Sequence, residues 1–404
     1  MITQRELFFQ HIGLPSRIPI ALEIERAEGI YLYDGDGKKY IDLVSGVSVS
    51  NIGHRHPEVV KAISDQVNKY MHLMVYGKYI QSPQVKLAKR LADLLPKSLN
   101  CTFFVNSGSE AIEGSLKLAK RFTARTEIIA FKNAYHGGTH GALSVLGNES
   151  LKNAFRPLLP DIRFLEFNTV SDLVNITKKT ACVIVEPIQA EAGIIIPQND
   201  YLIALRKRCD ETDALLVFDE IQMAFGRTGK LFCFEHSGVV PDILAIAKAM
   251  GGGMPLGAFI SSHDIMLSLA SNPELGHITT FGGHPVSCAA ALASLNVLTT
   301  TDLVIKAEPK GNLFKNMLSK HTMIREIRQK GLMLAVELEK EEFTNKLVRI
   351  LIRNGIVVDQ FLFRPNAFRI APPLTITEDE IAQACAAVLK SLDELKLIIG
   401  GHKS

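Results

Sequence analysis

Short apolar runs alternate with helical patterns from about residue 100 onward, and this alternation constrains the fold more than any other feature of the chain. The runs have the length of buried strands, and they cover residues 102–105, 128–131, 182–185, 215–218 and 244–247. Between two of them, Leu202, Leu205 and Cys209 share one helical face. Strands separated by covering helices predict an α/β fold with a doubly wound, mainly parallel sheet.

The regular alternation stops after about residue 290. A strand pattern near residues 332–338 precedes a helical pattern near 345–354 and strand patterns near Ile356 and Phe368, and a final helix begins at Glu378. This order predicts a smaller α+β unit at the C-terminal end.

Near the other end, residues 30–43 carry two successive Asp-Gly pairs between tyrosine-containing flanks, which predicts a tight hairpin. A calcium loop is the alternative, but the later ligands and the closing glutamate are missing. The chain is therefore predicted to have three parts: an N-terminal segment with the hairpin (1–50), a large α/β domain (51–290) and a smaller α+β C-terminal domain (291–404).

The charge balance argues against a nucleic-acid or anionic-membrane surface, because 45 Lys and Arg against 42 Asp and Glu give a net charge of only +3. Six widely spaced cysteines are typical of reduced core residues. The first residues carry charges where a signal peptide needs an apolar stretch. The most membrane-like stretch, residues 243–260, is interrupted by Lys248, three glycines and Pro255. We therefore expect a cytoplasmic protein with no membrane span.

Polar residues follow the predicted strands at the points where the strands end. In an open α/β sheet, ligands bind beyond the carboxyl ends of the strands. The residues at these points are Asn106–Glu110, Glu186, Asp219 and Lys248. We expect the four strand ends to face one crevice.

Two of these strand ends allow more than one interpretation. Ser107 and Glu110 fit a capping box, and Gly108 lets a ligand approach the free amides of the helix, so the segment is either an anion seat or an ordinary capped helix. Lys248 is either a desolvated, nucleophilic amine able to form a Schiff base, or a lysine whose buried stem carries its charge to water.

Asp219 also ends a run that resembles a Walker B strand, which would indicate a nucleotide hydrolase. No G-x-x-x-x-G-K-[ST] motif and no strand followed by G-x-G-x-x-G occurs in the chain, so the usual phosphate cradles are missing. A carboxylate that faces a pyridinium nitrogen, as in pyridoxal phosphate sites, is the other explanation. The scattered histidines show no metal-ligand spacing, and no metal site is predicted.

Six motifs together resemble the class III, fold type I, pyridoxal-phosphate-dependent aminotransferases, the group of ornithine, acetylornithine and 4-aminobutyrate aminotransferases. The resemblance runs from about residue 20 to the C-terminus. It implies the fold type I architecture, with a large doubly wound domain and a smaller α+β C-terminal domain. The motifs are Ser-Gly-Ser-Glu-Ala (107–111), Asn-Ala-Tyr-His-Gly (133–137), Glu-Pro-Ile-Gln (186–189), Asp-Glu-Ile-Gln (219–222), Ala-Lys (247–248) and Thr-Phe-Gly-Gly (280–283).

The resemblance implies a role for each matching residue. Lys248 would form the Schiff base with pyridoxal 5'-phosphate and then transfer a proton, and Asp219 would pair with the ring nitrogen. Thr280 would reach the phosphate of the neighbouring subunit, which implies a homodimer with shared active sites. Gly108 and Ser109 would bind the phosphate, Tyr135 would stack on the ring, and Gln222 would lie near the ring hydroxyl. Three further residues would contact the cofactor: Ser107, His136 and Glu186.

For the substrate, Glu191 and Arg369 resemble a gated pair in which Glu191 covers Arg369 for an ω-amine donor and releases it to bind a 2-oxo acid. Gly138 stands where ornithine and 4-aminobutyrate relatives usually carry an arginine for the donor carboxylate, and Gly46 and Val47 stand where some relatives carry an aromatic residue. The donor pocket is therefore predicted to be more open or more apolar than in those relatives.

The resemblance thus implies an aminotransferase that moves an amino group from an ω-amino acid or amine to 2-oxoglutarate or pyruvate. An aminomutase of the glutamate-1-semialdehyde kind would use the same lysine and aspartate, but it would not need a 2-oxo acid acceptor. A non-catalytic binding dimer of the same fold is an alternative of another class.

Overall fold

The computed structural model describes residues 2–198 and 200–400. Its strands form three sheets, one of seven strands and two of four. In chain order the strands are β1 (Arg26–Glu28), β2 (Tyr31–Tyr33), β3 (Lys39–Asp42), β4 (Cys101–Val105), β5 (Glu127–Phe131), β6 (Ile162–Leu165), β7 (Thr180–Val185), β8 (Leu215–Asp219), β9 (Ile243–Ile246), β10 (Gly257–Ser261), β11 (Glu326–Lys330), β12 (Met333–Glu337), β13 (Ile356–Val357), β14 (Asp359–Gln360) and β15 (Ala367–Ile370).

The α-helices lie mostly between these strands and cover the sheets. They are α1 (Gln4–His11), α2 (Ser45–Ser48), α3 (Pro57–Val67), α4 (Ser82–Leu94), α5 (Gly108–Thr123), α6 (His140–Ser144), α7 (Tyr201–Thr212), α8 (His263–Leu267), α9 (Pro285–Thr300), α10 (Leu303–Leu318), α11 (Glu341–Arg353) and α12 (Glu378–Gly400). Within α2 the backbone departs from helical geometry, as described with the site below.

The seven-stranded sheet has the order β4-β10-β9-β8-β7-β5-β6. Strands β6, β5, β7, β8 and β9 are parallel, and β10 pairs antiparallel with both β9 and β4. All five strands predicted from the apolar runs are present, and the doubly wound, mainly parallel sheet is confirmed. The fold is that of the large α/β unit expected from the sequence.

Successive residues of each central strand pack into two different cores, which is why the runs are apolar throughout. In β8, Leu216 and Phe218 belong to one buried cluster, while Leu215 and Val217 belong to the other. Helix α5 covers the second face with the predicted residues Ile112, Leu116 and Ala119, and α7 and α9 contribute to the first cluster. A sheet buried on both faces needs helices on both sides.

Two strands of the seven-stranded sheet, β6 and β10, are missing from the sequence prediction. Strand β10 lies in the stretch after Lys248, where the run of glycines conceals the strand pattern. Its first residue must be glycine, because a Cβ atom on Gly257 would lie 2.4 Å from the carbonyl oxygen of Ser107. Strand β10 therefore brings the turn before α5 into close contact with the sheet.

The C-terminal sheet has the order β11-β12-β15-β14 and is antiparallel, and α10, α11 and α12 belong to the same unit. The predicted hairpin is present as β2 and β3. The strand near Ile356 was expected in the C-terminal unit. Instead, β13 pairs parallel with β3 of the hairpin, with Ile356 opposite Ile41. The domain boundaries at residues 50/51 and 290/291 stay predictions.

Within the described part of the chain, no single helix combines the length and apolarity needed to cross a membrane. Helices α9 and α10 satisfy those two criteria only when taken together, and they meet at a bend of 71°.

Candidate active site

The carboxyl edge of the central sheet gathers the acidic and basic residues singled out in the sequence. Asp219 is the last residue of β8, Glu186 directly follows the neighbouring strand β7, and Lys248 follows β9 after one intervening residue. Because the three strands are adjacent and parallel, their ends lie side by side. This edge is where an α/β sheet of this kind binds ligands.

Asp219 and His136 are in direct contact at this edge. Nδ1 of His136 lies 2.7 Å from Oδ2 of Asp219, and both side chains are buried. The backbone N–H of Ile221 donates to the other carboxylate oxygen at 3.0 Å. Nε2 of His136 is buried and has no hydrogen-bond partner among the described residues. The pair holds a carboxylate in a fixed orientation inside the protein.

Glu186 connects two loops that border the same edge. Its carboxyl group accepts from the backbone N–H of Tyr135 at 3.1 Å and from that of Ala190 at 3.2 Å. Burial raises the pKa of Glu186 well above its usual value, and the nearby Asp219 adds to this effect. Glu186 thereby fixes Tyr135 relative to the loop that carries Glu191.

Lys248 has an unusual backbone and an unusual side-chain environment. Its φ angle is +50°, in the left-handed region that a side chain disfavours, and such strain is frequent at functional sites. Removal from water, and to a lesser extent the positive charge of Arg369, lower the pKa of the Lys248 amine to about 8, against the opposing effects of Glu191, Asp219 and Glu186. With this pKa, roughly a tenth of the amine is uncharged at pH 7, far more than for an ordinary lysine.

The N-terminus of α5 has only one half of the predicted capping box. Ser107 caps the helix, since its Oγ accepts from the N–H of Glu110 at 3.2 Å. The reciprocal half of the capping box is wrong, because the Glu110 carboxylate accepts from the backbone and side-chain amides of Asn106 instead. A Cβ atom on Gly108 would lie 3.0 Å from Ile221, so this end of the helix packs directly against the loop after β8.

The loop after β5 closes over the same helix end. Gly137 has a φ angle of +129°, and a Cβ atom there would lie 2.2 Å from Oγ of Ser109. The next residue, Gly138, donates its N–H to Oγ of Ser109 at 3.2 Å, and a Cβ atom on Gly138 would meet nothing within 4 Å. Ser109 is thus held by the segment that also carries His136.

Glu191 and Arg369 form a buried ion pair, with Nη2 of Arg369 at 2.5 Å from Oε1 of Glu191. Gln222 and the N–H of Leu362 each donate to the Glu191 carboxylate at 3.2 Å. Burial alone raises the pKa of Glu191, but Arg369 and these hydrogen bonds outweigh burial, and the net pKa is lowered. The pair predicted from the sequence is therefore present and charged.

The segment with Gly46 and Val47 lies against the residues that follow Lys248. Four consecutive residues, 45–48, have φ angles between +48° and +63°, so the backbone makes a left-handed turn here. The fully buried Arg227 stabilises this turn, because its guanidinium donates to Oγ of Ser45 at 3.1 Å and to Oδ1 of Asn51 at 2.6 Å. None of the four residues of this turn, Ser-Gly-Val-Ser, has an aromatic side chain.

Residues 14–392 match the sequence profile of the family described as aminotransferase class-III. The chain belongs to the class III aminotransferases. As a member it is an enzyme that depends on pyridoxal phosphate. The resemblance and the fold type expected from the six motifs are confirmed.

Known class III aminotransferases match the chain over nearly its whole length. The acetylornithine aminotransferase of Methanocaldococcus jannaschii is 38% identical over 396 residues, which is 95% of each chain. A transaminase from the marine bacterium Virgibacillus superposes with a TM-score of 0.92 at 27% identity, over 98% of this chain and 99% of the other. The ornithine aminotransferase of Toxoplasma gondii, described with partial occupancy of pyridoxal phosphate at its active site, has a TM-score of 0.90 at 29% identity, over 98% and 95%. These similarities do not favour the aminomutase or the non-catalytic dimer.

The residues of this aminotransferase fit pyridoxal phosphate. Lys248 supplies an amine with a lowered pKa, and Asp219 supplies a buried carboxylate. The helix that begins after Ser107 supplies free N–H groups for a phosphate. In addition, Oε1 of Gln222 and Nε2 of His136 are buried without a hydrogen-bond partner in the described ranges. When bound, the cofactor supplies the carbonyl group that takes up an amino group and an electron-withdrawing ring.

Most predicted site residues are joined by hydrogen bonds, but Thr280 is separate from them. Thr280 is exposed, and its Oγ1 accepts from the hydroxyl of Tyr76 at 3.2 Å. Two residues near the site were not predicted: Asp359, which lies opposite Arg369 on the neighbouring strand, and Arg328, which donates to the Gly193 carbonyl at 2.6 Å. Both are charged residues in short strands, without a motif around them.

Proposed function

We propose that this class III aminotransferase moves an amino group from an ω-amino acid or amine, of the ornithine or acetylornithine kind, to a 2-oxo acid such as 2-oxoglutarate or pyruvate. The observation that carries the proposal is the Lys248 amine with its pKa of about 8, which is influenced by the charges of Asp219 and of the Glu191–Arg369 pair. The relatives named for acetylornithine and ornithine support this donor class.

In the proposed mechanism, Lys248 is the nucleophile and the proton carrier. The uncharged amine of Lys248 has a free electron pair and can act as a nucleophile towards a carbonyl carbon. After a substrate amine has displaced Lys248 from that carbon, the lysine nitrogen is free again. It can then remove a proton from the substrate carbon and return it. An amine with a pKa of about 8 serves both steps near neutral pH.

Asp219, oriented by His136, would face the nitrogen of the cofactor ring and keep that nitrogen protonated. Ser107, Gly108 and Ser109 would bind the phosphate with the free N–H groups at the start of α5, where the helix dipole also favours an anion. Tyr135, whose backbone is held by Glu186, would stack on the ring, and Gln222 would bind near the ring hydroxyl.

Glu191 and Arg369 select the two substrates in turn. With Glu191 in place, Arg369 is neutralised, and an ω-amine donor without a carboxylate at this position can bind. When Glu191 moves away, the guanidinium is free to bind the carboxylate of a 2-oxo acid through two parallel hydrogen bonds. Gly138 offers no side chain to the donor carboxylate, so the donor end of the pocket stays open.

The test is the visible absorption of the purified protein with pyridoxal phosphate, before and after N-acetyl-L-ornithine or L-ornithine is added without an acceptor. We expect an absorption band of the bound cofactor that shifts with the donor and returns when 2-oxoglutarate is added. Lys248→Ala should abolish the shift, while Lys179→Ala, at an exposed lysine, should leave it unchanged. A protein that shows the band but turns over without any 2-oxo acid would be an aminomutase.

We further propose a homodimer in which Thr280 reaches the phosphate of the neighbouring subunit. Exposed apolar side chains near Thr280 support it: Ile80 is 96% exposed, and Tyr79, Leu275, Ile278 and Phe281 are each at least 50% exposed. Tyr79, Leu275 and Ile278 also line a cavity of ≈ 640 Å³, whose other walls come from the segments 75–85, 101–104 and 263–282. A patch of this kind on a soluble protein usually marks an interface.

Sedimentation velocity tests the dimer. The wild-type protein should sediment as at least a dimer, and Ile80→Asp should shift it towards the monomer because a buried charge costs far more than an exposed one. Val174→Asp, at another exposed apolar residue (68% exposed), is the matched control. Thr280→Ala should weaken phosphate binding without dissociating the subunits, and a monomeric wild-type protein would refute the proposal. We also propose a cytoplasmic location, which the free cysteines of the chain support.

A further inference from the structure

Arg369 is in contact with two carboxylates, although the proposed gate needs only one. Nη2 of Arg369 contacts Glu191 at 2.5 Å, and Nη1 lies 3.7 Å from Oδ2 of Asp359. The third nitrogen, Nε, is buried and has no hydrogen-bond partner among the described residues. One cation therefore faces two anions, and one of its donors is unused.

The two carboxylates are attached to the protein in different ways. Asp359 lies directly opposite Arg369 in the pairing of β14 with β15, so the register of the sheet fixes their contact. Glu191 lies in a turn whose following residues, Gly193 and Ile194, have positive φ angles of +94° and +59°. Glu191 can leave Arg369 by a change of this turn, whereas Asp359 remains opposite Arg369 as long as the strands are paired.

The remaining contacts hold the guanidinium in one orientation. The ring centroid of Phe361 lies 4.7 Å from the guanidinium carbon, so the plane of Arg369 is covered on that face. With Asp359 at Nη1, the edge formed by Nη2 and Nε is the one that a departing Glu191 uncovers. That edge has the two parallel donors that a carboxylate binds.

We infer that Asp359 determines how tightly Arg369 binds the carboxylate of the 2-oxo acid acceptor. The Asp359 carboxylate keeps a negative charge beside the guanidinium after Glu191 has moved away. This inference rests on the proposed function. The acceptor carboxylate binds a cation that is already partly neutralised, and it binds close to a like charge. Asp359 thus weakens acceptor binding and the binding of the amino acid product, and it leaves the ω-amine donor unaffected because Glu191 stays in place for that substrate.

Asp359→Asn tests the charge while keeping an oxygen that can accept from Nη1. The acceptor half-reaction is followed with the aminated holoenzyme and 2-oxoglutarate, and the donor half-reaction with N-acetyl-L-ornithine. We expect the apparent Kd for 2-oxoglutarate to fall about fivefold with little change in the limiting rate, as for a half-exposed ion pair. Donor constants should not change, and the gain should shrink in high salt.

Two further variants separate charge from structure. Asp359→Glu keeps the charge and should behave like the wild type; if it matched Asp359→Asn, the charge would not be the cause. Glu339→Gln removes an exposed carboxylate that makes no ion pair in the described part of the chain, and it should alter neither half-reaction. An unchanged Kd in Asp359→Asn, or equal changes in both half-reactions, would overturn the inference. Failure of the wild type to transfer amino groups would instead refute the proposed function.

Discussion

Nδ1 of His136 and Oδ2 of Asp219 lie 2.7 Å apart in the interior of the protein. An ionised carboxylate can only accept, so the proton lies on Nδ1 of His136. The two residues are 83 positions apart, in the loop after β5 and at the end of β8. The orientation of the carboxylate is therefore set by a residue outside the strand that carries it.

His136→Ala should weaken the binding of pyridoxal phosphate. The substitution removes a hydrogen bond to a charged group, which is worth roughly 1.5–3 kcal/mol, or about 10- to 150-fold in Kd. Fluorescence titration of the apoenzyme with the cofactor measures this change. His140→Ala, at an exposed histidine four residues later, is the control and should bind as the wild type does. Equal affinities in the two variants would show that Asp219 needs no partner.

Gly137→Ala should lower cofactor affinity much more than Gly138→Ala. A Cβ atom at residue 137 would lie 2.2 Å from Oγ of Ser109 at a φ angle of +129°, whereas one at residue 138 meets nothing within 4 Å. Ser109 must therefore move in the first variant only. We expect an increase in the Kd for pyridoxal phosphate of about tenfold or more in Gly137→Ala, consistent with strain of about 1–3 kcal/mol. Equilibrium dialysis of both variants decides the point.

Uptake of the cofactor by the apoenzyme should follow the protonation of Lys248. Only the uncharged amine attacks a carbonyl group, and desolvation lowers the pKa of this amine from 10.5 to about 8. The uptake rate should rise about tenfold per pH unit below pH 8 and level off above it, as expected for a single titrating group. Stopped-flow absorbance between pH 6 and pH 10 measures the profile. A rate that still rises at pH 10 would mean that Lys248 has the pKa of an ordinary lysine.

Arg369→Met should strongly destabilise the fold, because it leaves Glu191 buried without its cation. Breaking a buried ion pair in this way costs about 3–5 kcal/mol. Adding Glu191→Gln should recover most of the loss, since no unpaired charge remains. Urea unfolding of the two variants and of the wild type gives the free energies. A single variant as stable as the double one would contradict the interpretation of the pair as buried and charged.

The same pair should make stability depend on pH in the acid range. The pKa of Glu191 is lowered from its ordinary value of 4.5, so in the folded protein the carboxylate holds its charge to lower pH than in the unfolded chain. Its contribution to stability is complete above about pH 4.5 and is lost as the pH falls through the lowered pKa. The advantage of the wild type over Glu191→Gln should therefore shrink on acidification, which urea unfolding at pH 7 and pH 4 would reveal.

The sequence predicts what depends on local pattern, and the structure adds what depends on pairing between distant segments. The strand ends at Glu186, Asp219 and Lys248 follow from apolar runs, and parallel strands place such ends at one edge. By contrast, the contact of Asp359 with Arg369 depends on the register of two short strands that carry no distinctive pattern. Strand β10 was likewise missed, because the glycines before it obscure the strand pattern. Its antiparallel direction also could not be predicted, because strand direction leaves no periodicity in the sequence.

The pairing of β3 with β13 has a consequence for synthesis on the ribosome. Ile41 and Ile356 are neighbours in this sheet, so one edge of the N-terminal hairpin has no partner until more than 300 further residues have been made. At about 5–20 residues per second, that interval lasts roughly 15–60 s. During this time the hairpin presents an open edge to other nascent chains, and only the segment that contains β13 closes it.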